Sequence, residues 1–396
     1  MTNLVIFSPF ALENGRGGEK SSIELALGLQ RYYNVVLIDT NICIEKNTIS
    51  KVELKQKIEN IGKFERIKFA TFRIYNKNFS FPYPWELLKL YKFIKKADIV
   101  YTSISFVKID ILFILFSLLI PKINFIIGFR KPMYWAKKVS LYNLRYRASI
   151  LFFSIFKKRF YYHTISYHTK KYLESFYDRD KIFHIIHGID LTNFGKNGKE
   201  KKNNNILKFI YVGALEDTHK GLGILLEAIN QFLEKNKDLK VFFEFCGRGP
   251  LASNLKNLEK KFPQFIKYHG YVNDDKLPEI YQRNDVLLFS SRDEPFGRVL
   301  IEALASNLVI ICSITIGSIE ILKDKEFAFF IDKLLPEKFD NKIKEIYNLW
   351  EKNLNFFISL QESAKNYAFQ EFSFSIELKM FKNLIELIKK NKINTI

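Results

Sequence analysis

The chain has 396 residues, 47% of them hydrophobic and 26% charged, with 62 Lys and Arg against 42 Asp and Glu. That length favours two domains over a single core, and that composition excludes both a disordered chain and a disulfide-stapled miniature. The longest apolar run, Ile111 to Ile120, is too short to cross a bilayer. Cys43, Cys246 and Cys312 are scattered and lack metal-ligand spacing, so free thiols in a reducing compartment are expected. The start, MTNLVIFSPF, has no basic segment ahead of an apolar one, so export is not expected. The formal charge of +20 is one-sided: residues 1–187 hold 31 Lys and Arg against 14 Asp and Glu, and no acid lies between Ile111 and Leu173. Such a surface calls for an anionic partner: membrane lipid, nucleic acid or an acidic substrate.

Leu4 to Phe7 reads as a buried strand, followed by a loop with Gly15, Gly17 and Gly18, a helix over Lys20 to Tyr32 and a strand over Val35 to Ile38. This strand–loop–helix–strand opening suits a parallel sheet with the glycine loop at its carboxyl edge. Ile99 to Tyr101 and Phe125 to Ile127 read as further buried strands. Arg130 follows the second, in IIGFRKP, where a guanidinium suits an anion held by two hydrogen bonds. Met133 to Tyr162 interleaves Trp135, Tyr142, Phe152, Phe153 and Phe156 with seven basic residues. An interfacial helix docked on an anionic leaflet has this composition, and so does a core helix with a charged outer face. No zinc-finger or RNA-recognition spacing accompanies it, so nucleic acid is not expected as a partner. Strands then follow near His163 to Ser166 and Ile182 to Ile189, and the polar stretch Gly195 to Asn205 reads as a linker.

Phe209 begins a second strand–loop–helix unit, with Gly213 at the strand end and Lys220 ahead of a helix carrying Leu222, Leu225, Leu226 and Ile229. Val241 to Cys246 is the next strand, ending at Gly247, Gly249 and Pro250; His269 to Val272 follows, then a helix over Asp274 to Gln282. The centre of the chain is Asp293 to Ala305, DEPFGRVLIEALA. Val286 to Phe289 ahead of it reads as a strand, and Val299, Leu300, Ala303 and Leu304 repeat at helical spacing. The first amides of such a helix lack internal partners and, with the positive end of the dipole, suit an anion. Glu294 stands before this helix and Glu302 inside it, so two carboxylates flank that anion and can grip hydroxyls on either side of it. A nucleotide sugar has that layout. Ser373 to Lys390 closes the chain as a helix with Ile376, Met380, Phe381, Leu384, Leu387 and Ile388 on one stripe.

The glutamate–seven residues–glutamate stretch resembles that of the family 4 glycosyltransferases (glycosyl transferases group 1), which have the GT-B fold. The resemblance implies an α/β chain of two Rossmann-like parallel-sheet domains facing each other across a cleft. Residues 1–187 would be an acceptor-binding domain, 188–205 a linker, 206–372 a nucleotide-sugar-binding domain, and 373–396 a helix returning to the first domain. It implies that Glu294 approaches the donor sugar, that Glu302 grips the ribose, and that the amides of Phe296, Gly297, Arg298 and Val299 face the diphosphate. Gly213, Lys220 and Gly247 would line the donor, Val272 would meet the nucleobase through its backbone, and Gly17 and Gly18 would face the donor phosphates and the acceptor. The chain departs from the family at Ala214, where an arginine is usual, and near Arg130, where a histidine is usual. Arg298 is the candidate substitute for the first, and Arg130 for the second. His187 also replaces a usual asparagine, while Gly188, Asp190 and Phe194 keep the pattern.

The expected activity is therefore transfer of a sugar from a UDP- or GDP-sugar to a glycan or lipid-linked acceptor of the cell envelope, with Glu294, Lys220 and Arg130 as catalytic candidates. The resemblance implies retention at the anomeric carbon, no cofactor and no metal; Asp178-Arg179-Asp180 reads as a surface turn and not a metal site. The basic first domain suggests a cytoplasmic protein held on the inner face of the membrane. The alternatives are an epimerase or phosphorylase on the same scaffold, or a basic membrane- or nucleic-acid-binding protein with a degenerate donor site.

Overall fold

The computed structural model describes residues 1–12, 17–41, 58–74, 77–103, 107–129, 150–151, 153, 160–195 and 205–393. Two units divide the chain: Met1–His187 with Glu377–Ile396, and Gly188–Ile376.

In the first unit, β1 (Asn3–Phe7) alternates its side chains between two cores. Val5 and Phe7 enter one, Leu4 and Ile6 the other, so an unbroken apolar run fills both sides of a covered parallel strand. Next come α1 (Gly17–Leu29), β2 (Asn34–Thr40), β3 (Phe64–Ile67) and an antiparallel hairpin, β4 (Phe69–Ile74) with β5 (Lys77–Pro82). α2 (Pro84–Lys95), β6 (Ile99–Thr102), α3 (Val107–Leu119), β7 (Asn124–Phe129), β8 (Phe160–Thr164), α4 (Tyr167–Leu173) and β9 (Ile182–His184) complete it. The sheet is parallel throughout, in the order β3-β2-β1-β6-β7-β8-β9. α1 and the late residues Phe381, Leu384, Ile385 and Ile388 share one core with the sheet; α2, α3 and α4 share the other.

Several boundaries differ from the sequence reading. Gly17 and Gly18 open α1 instead of lying in a loop before it. The strand at Ile182 stops at His184, after which His187 is buried with its Nδ1 3.5 Å from Glu377. Asp178-Arg179-Asp180 is the exposed surface turn the sequence suggests, with a short 3-10 turn at Arg179–Lys181. Within Met133–Tyr162 the described residues Ile150, Phe153, Phe160 and Tyr162 are core, so Phe153 is not a surface aromatic. Trp135, Tyr142, Phe152, Phe156, Arg130 and the basic residues from Lys137 to Arg159 lie outside the described residues.

The second unit contains β10 (Leu207–Val212), α5 (Leu222–Lys235), β11 (Val241–Cys246), α6 (Ala252–Lys261), β12 (Ile266–Gly270), α7 (Leu277–Gln282), β13 (Val286–Phe289) and α8 (Arg298–Ala305). β14 (Val309–Ser313), α9 (Ile316–Leu322), β15 (Ala328–Ile331), α10 (Pro336–Lys352), α11 (Leu354–Phe372) and α12 (Phe374–Ile393) follow, the last continuing into the first unit. Its six parallel strands run β12-β11-β10-β13-β14-β15. Connections leave β10 toward one edge and β13 toward the other, so the order reverses between these two neighbours. The crevice at the carboxyl ends of such a pair is where open α/β sheets take ligands.

Candidate functional site

The loops that follow β10 and β13 meet at this switch point. Gly213 ends β10 and its amide donates to the Cys246 carbonyl at 3.1 Å. Tyr211, held protonated by burial and then by the nearby Glu216 and Glu294 charges, donates its hydroxyl to the Ala214 carbonyl at 2.8 Å. Glu216 accepts from the amides of His219 and Lys220, and Asp217 pairs with Arg292 at 2.9 Å. The Arg292 amide in turn reaches the His219 carbonyl at 2.7 Å, and Ser290 Oγ donates to the Lys220 carbonyl at 2.8 Å. Two loops about 70 residues apart are thereby locked together, and Lys220 Nζ forms an ion pair with Glu294. Their side chains are 27% and 16% exposed, so the pair is sheltered yet open to a ligand.

Gly297 caps α8 with φ of 91°, a left-handed conformation that glycine adopts without strain. It turns the chain sharply from Glu294 into the helix. Among the described residues, the amides of Gly297 and Val299 take no partner. Leu300, Ile301, Ala303 and Leu304 are buried, whereas Arg298, Val299 and Glu302 are only partly so. The buried stripe thus runs through Ile301 and not Val299, because Val299 shares a face with Glu302 one turn later. Glu302 Oε2 accepts from the Tyr281 hydroxyl at 3.2 Å, and its Oε1 is 3.9 Å from Arg298 Nε. Burial, and then Glu302, raises the Tyr281 phenol well above its ordinary range, so it stays a donor. Arg298, the expected replacement for a charge at Ala214, has its Nε 3.9 Å from Glu302.

A third element closes the turn from behind. The Gly317 amide donates to the Glu294 carbonyl at 2.9 Å, and a Cβ on Gly317 would lie 2.8 Å from Phe296 Cα and overlap the Phe296 carbonyl. Thr315 and Ser318 form a capping box that fixes the start of α9 at this distance. Phe296 itself is buried, with its ring 6.4 Å from that of Phe372. Next to the ion pair, Asp293 is pushed up to about 6, first by burial and then by the charge of Glu294.

Further along the same sheet edge, Gly247 donates its amide to the Gly270 carbonyl at 2.8 Å, and the Arg248 guanidinium sits 4.9 Å from the ring centre of half-exposed Tyr271. Val272 follows that tyrosine and is partly buried. Beneath, Glu244 on β11 is buried and bonds His269 at 2.6 Å, Arg283 and Asn284. Burial opposes its charge, yet the His269 and Arg283 hydrogen bonds outweigh it and hold the carboxyl below its usual range. Cys246, on the same strand, has its thiol pushed up to about 12 by burial, which leaves it unreactive.

The structure therefore brings Gly213, Lys220, Gly247, Val272, Glu294, Phe296, Gly297, Arg298, Val299 and Glu302 to one edge of the second unit's sheet. Gly17 and Gly18 belong to the first unit, at the start of α1 beside β1, and Arg130 lies outside the described residues. Sequence reasoning missed Tyr281, Tyr211 and the Asp217–Arg292 pair. Their partners are distant in sequence, and no local pattern marks them. Among the described residues no cluster of His, Cys, Asp and Glu could hold a metal ion.

The architecture of two parallel α/β units is the GT-B fold. Anabaena HepE, solved with UDP, superposes with a TM-score of 0.75 at 15% identity, covering 98% of this chain and 100% of that one. A glycosyltransferase from Rickettsia africae gives 0.72 at 19% identity, over 98% and 99% of the two chains. At the sequence level, residues 193–366 match the family model described as glycosyl transferases group 1. Spore coat protein SA of Bacillus subtilis is 26% identical over 238 residues, which is 54% of this chain and 60% of that protein. The serotype-specific mannosyltransferase WbdA of Escherichia coli is 30% identical over 153 residues, 37% of this chain and 18% of that protein. The chain thus spans less than two thirds of the length of these relatives.

Proposed function

We propose that this chain is a glycosyltransferase that moves a sugar from a nucleoside diphosphate sugar, a UDP- or GDP-sugar, to a glycan or lipid-linked acceptor, with retention at the anomeric carbon and without a cofactor or metal. The observation that carries the reading is the conjunction at the switch point: an ammonium, Lys220, and two amides at a helix start that take no partner among the described residues, set between Glu294 and Glu302. The difficult step is departure of the diphosphate from the anomeric carbon. Charge developing on the leaving oxygen is met by the fixed ammonium and by the positive end of α8, which need no reorganisation during reaction. Glu302 would accept from ribose hydroxyls, with one of its oxygens held by the Tyr281 hydroxyl. Glu294 would trade its ion pair with Lys220 for hydroxyls of the donor sugar while Lys220 turns to phosphate. Tyr271, under Arg248, offers a flat surface at the place assigned to the nucleobase.

The match to the group 1 family over residues 193–366 and the likeness to UDP-bound HepE support this reading. The acceptor, expected in the envelope, and attachment to the inner face of a membrane rest on the basic first unit. The test is a panel of nucleotide sugars incubated with extracted lipid-linked glycans and followed by mass spectrometry. A glycosylated product that disappears with Glu302→Gln supports the proposal. Consumption of nucleotide sugar without such a product, or unchanged transfer by that variant, overturns it.

A further inference from the structure

α2 and α3 lie on the same side of the first unit's sheet. Leu90, Ile94, Phe113, Ile114 and Phe116 enter one core with it, and the rings of Tyr91 and Phe116 are 6.0 Å apart. The outward side of this pair is not polar. Trp85 and Leu88 on α2 are 62% and 64% exposed, and Ile111, Leu115, Leu118 and Leu119 on α3 are 44%, 51%, 57% and 67% exposed. Positions 111, 115, 118 and 119 form a single stripe along the helix, on the side where a solvated helix carries its charges. Charge is distributed just as unusually. The acids of these two helices, Glu86 and Asp110, are both buried, while Lys92, Lys95, Lys96 and Lys122 at their ends are exposed. Tyr83 and Trp85 stack at 4.7 Å at the start of α2, an aromatic pair of the kind that settles at headgroup depth.

We propose that this outward face of α2 and α3 docks on an anionic lipid bilayer, with the α3 leucines among the acyl chains and the lysines at the headgroup phosphates. The helix has 13 residues, about 20 Å of length, so it lies in the interface and does not span. A second copy of the chain is a poorer occupant, because a two-fold contact would set this lysine rim against itself. An apolar protein groove would take the leucines and leave the lysines without anions. This surface is built of other residues than the Met133–Tyr162 stretch in which the sequence suggests docking. The inference deepens the membrane half of the proposed function; because it is measured without donor, its failure leaves the transfer reading standing.

The test is flotation of the full chain with vesicles of equal phosphatidylglycerol and phosphatidylcholine, against vesicles of phosphatidylcholine alone. The protein should float with the anionic vesicles and not the neutral ones. Lys92→Ala with Lys95→Ala should weaken binding roughly 30-fold, taking each lysine as a factor of about five. Leu115→Ser, Leu118→Ser and Leu119→Ser together should abolish flotation with an unchanged melting temperature, since all three side chains are already exposed. Absence of binding to anionic vesicles, or binding by the folded triple variant equal to that of the original chain, overturns the proposal. So does a dimer in solution that the triple substitution dissociates while vesicle binding is absent.

Discussion

Replacing Lys220 by alanine separates a catalytic ammonium from a merely structural one. An ammonium about 4 Å from one phosphate charge, at an effective dielectric near 20, contributes about 4 kcal/mol. The Lys220 side chain is 27% exposed, so about half of that survives solvent screening. About 2 kcal/mol in the transition state corresponds to a loss of roughly 30-fold in kcat/KM, somewhat below the roughly 100- to 1000-fold that follows removal of one fully enclosed preorganised donor. The effect on folding should be far smaller. The partner, Glu294, is 16% exposed, and a partly solvated pair of this kind contributes about 1 kcal/mol, which moves Tm by about 2–4 °C in a unit of this size. Measuring initial transfer rates beside thermal melts on the same preparations tests both numbers. Activity within threefold of the original chain would refute the assignment, and so would a rate loss matched by the unfolded fraction.

Three further outcomes follow from the geometry. Asp293 has its carboxyl pushed up to about 6 from an ordinary 3.8, so between those values the folded chain holds a proton that the unfolded chain releases, and stability falls as pH rises through that window. Asp293→Asn should therefore raise Tm at pH 8 and leave it unchanged at pH 4; equal gains at both would contradict the cause given. Gly317→Ala would push the Phe296 carbonyl, costing about 1–3 kcal/mol and weakening nucleotide binding by calorimetry; binding equal to the original chain would refute the close packing. Glu244→Gln leaves Arg283 without its buried carboxylate and should cost about 2 kcal/mol by chemical denaturation, below the usual range for a buried pair because Arg283 is half exposed. A neutral substitution there would show that the cluster contributes nothing to folding.

The centre of the site was legible because it is local. A strand, a glycine turn and a helix with acids at 294 and 302 are written within about 20 residues, and helical periodicity places both carboxylates. Lys220 was legible for the same reason, standing between a strand end and a helix start. The supports were not. Tyr281 reaches Glu302 from another helix, Asp217 reaches Arg292 across 75 residues, and Gly317 matters only because Phe296 packs on it. The apolar stripe on α3 was hidden in an almost unbroken apolar run, since Ile111 and Leu115 differ from Phe113 and Ile114 only in which way they face. Val299 shows the same limit within a single turn.

A crystal structure of the full chain with a bound nucleoside diphosphate is the most direct test of the proposed donor site. The diphosphate should rest on the amides of Gly297 and Val299 with Lys220 turned toward it, and the Glu302 carboxylate should accept from the ribose hydroxyls. A nucleotide bound elsewhere, or one seated at α8 with Glu302 still closed onto Arg298 and no carboxylate on the ribose, would contradict the account.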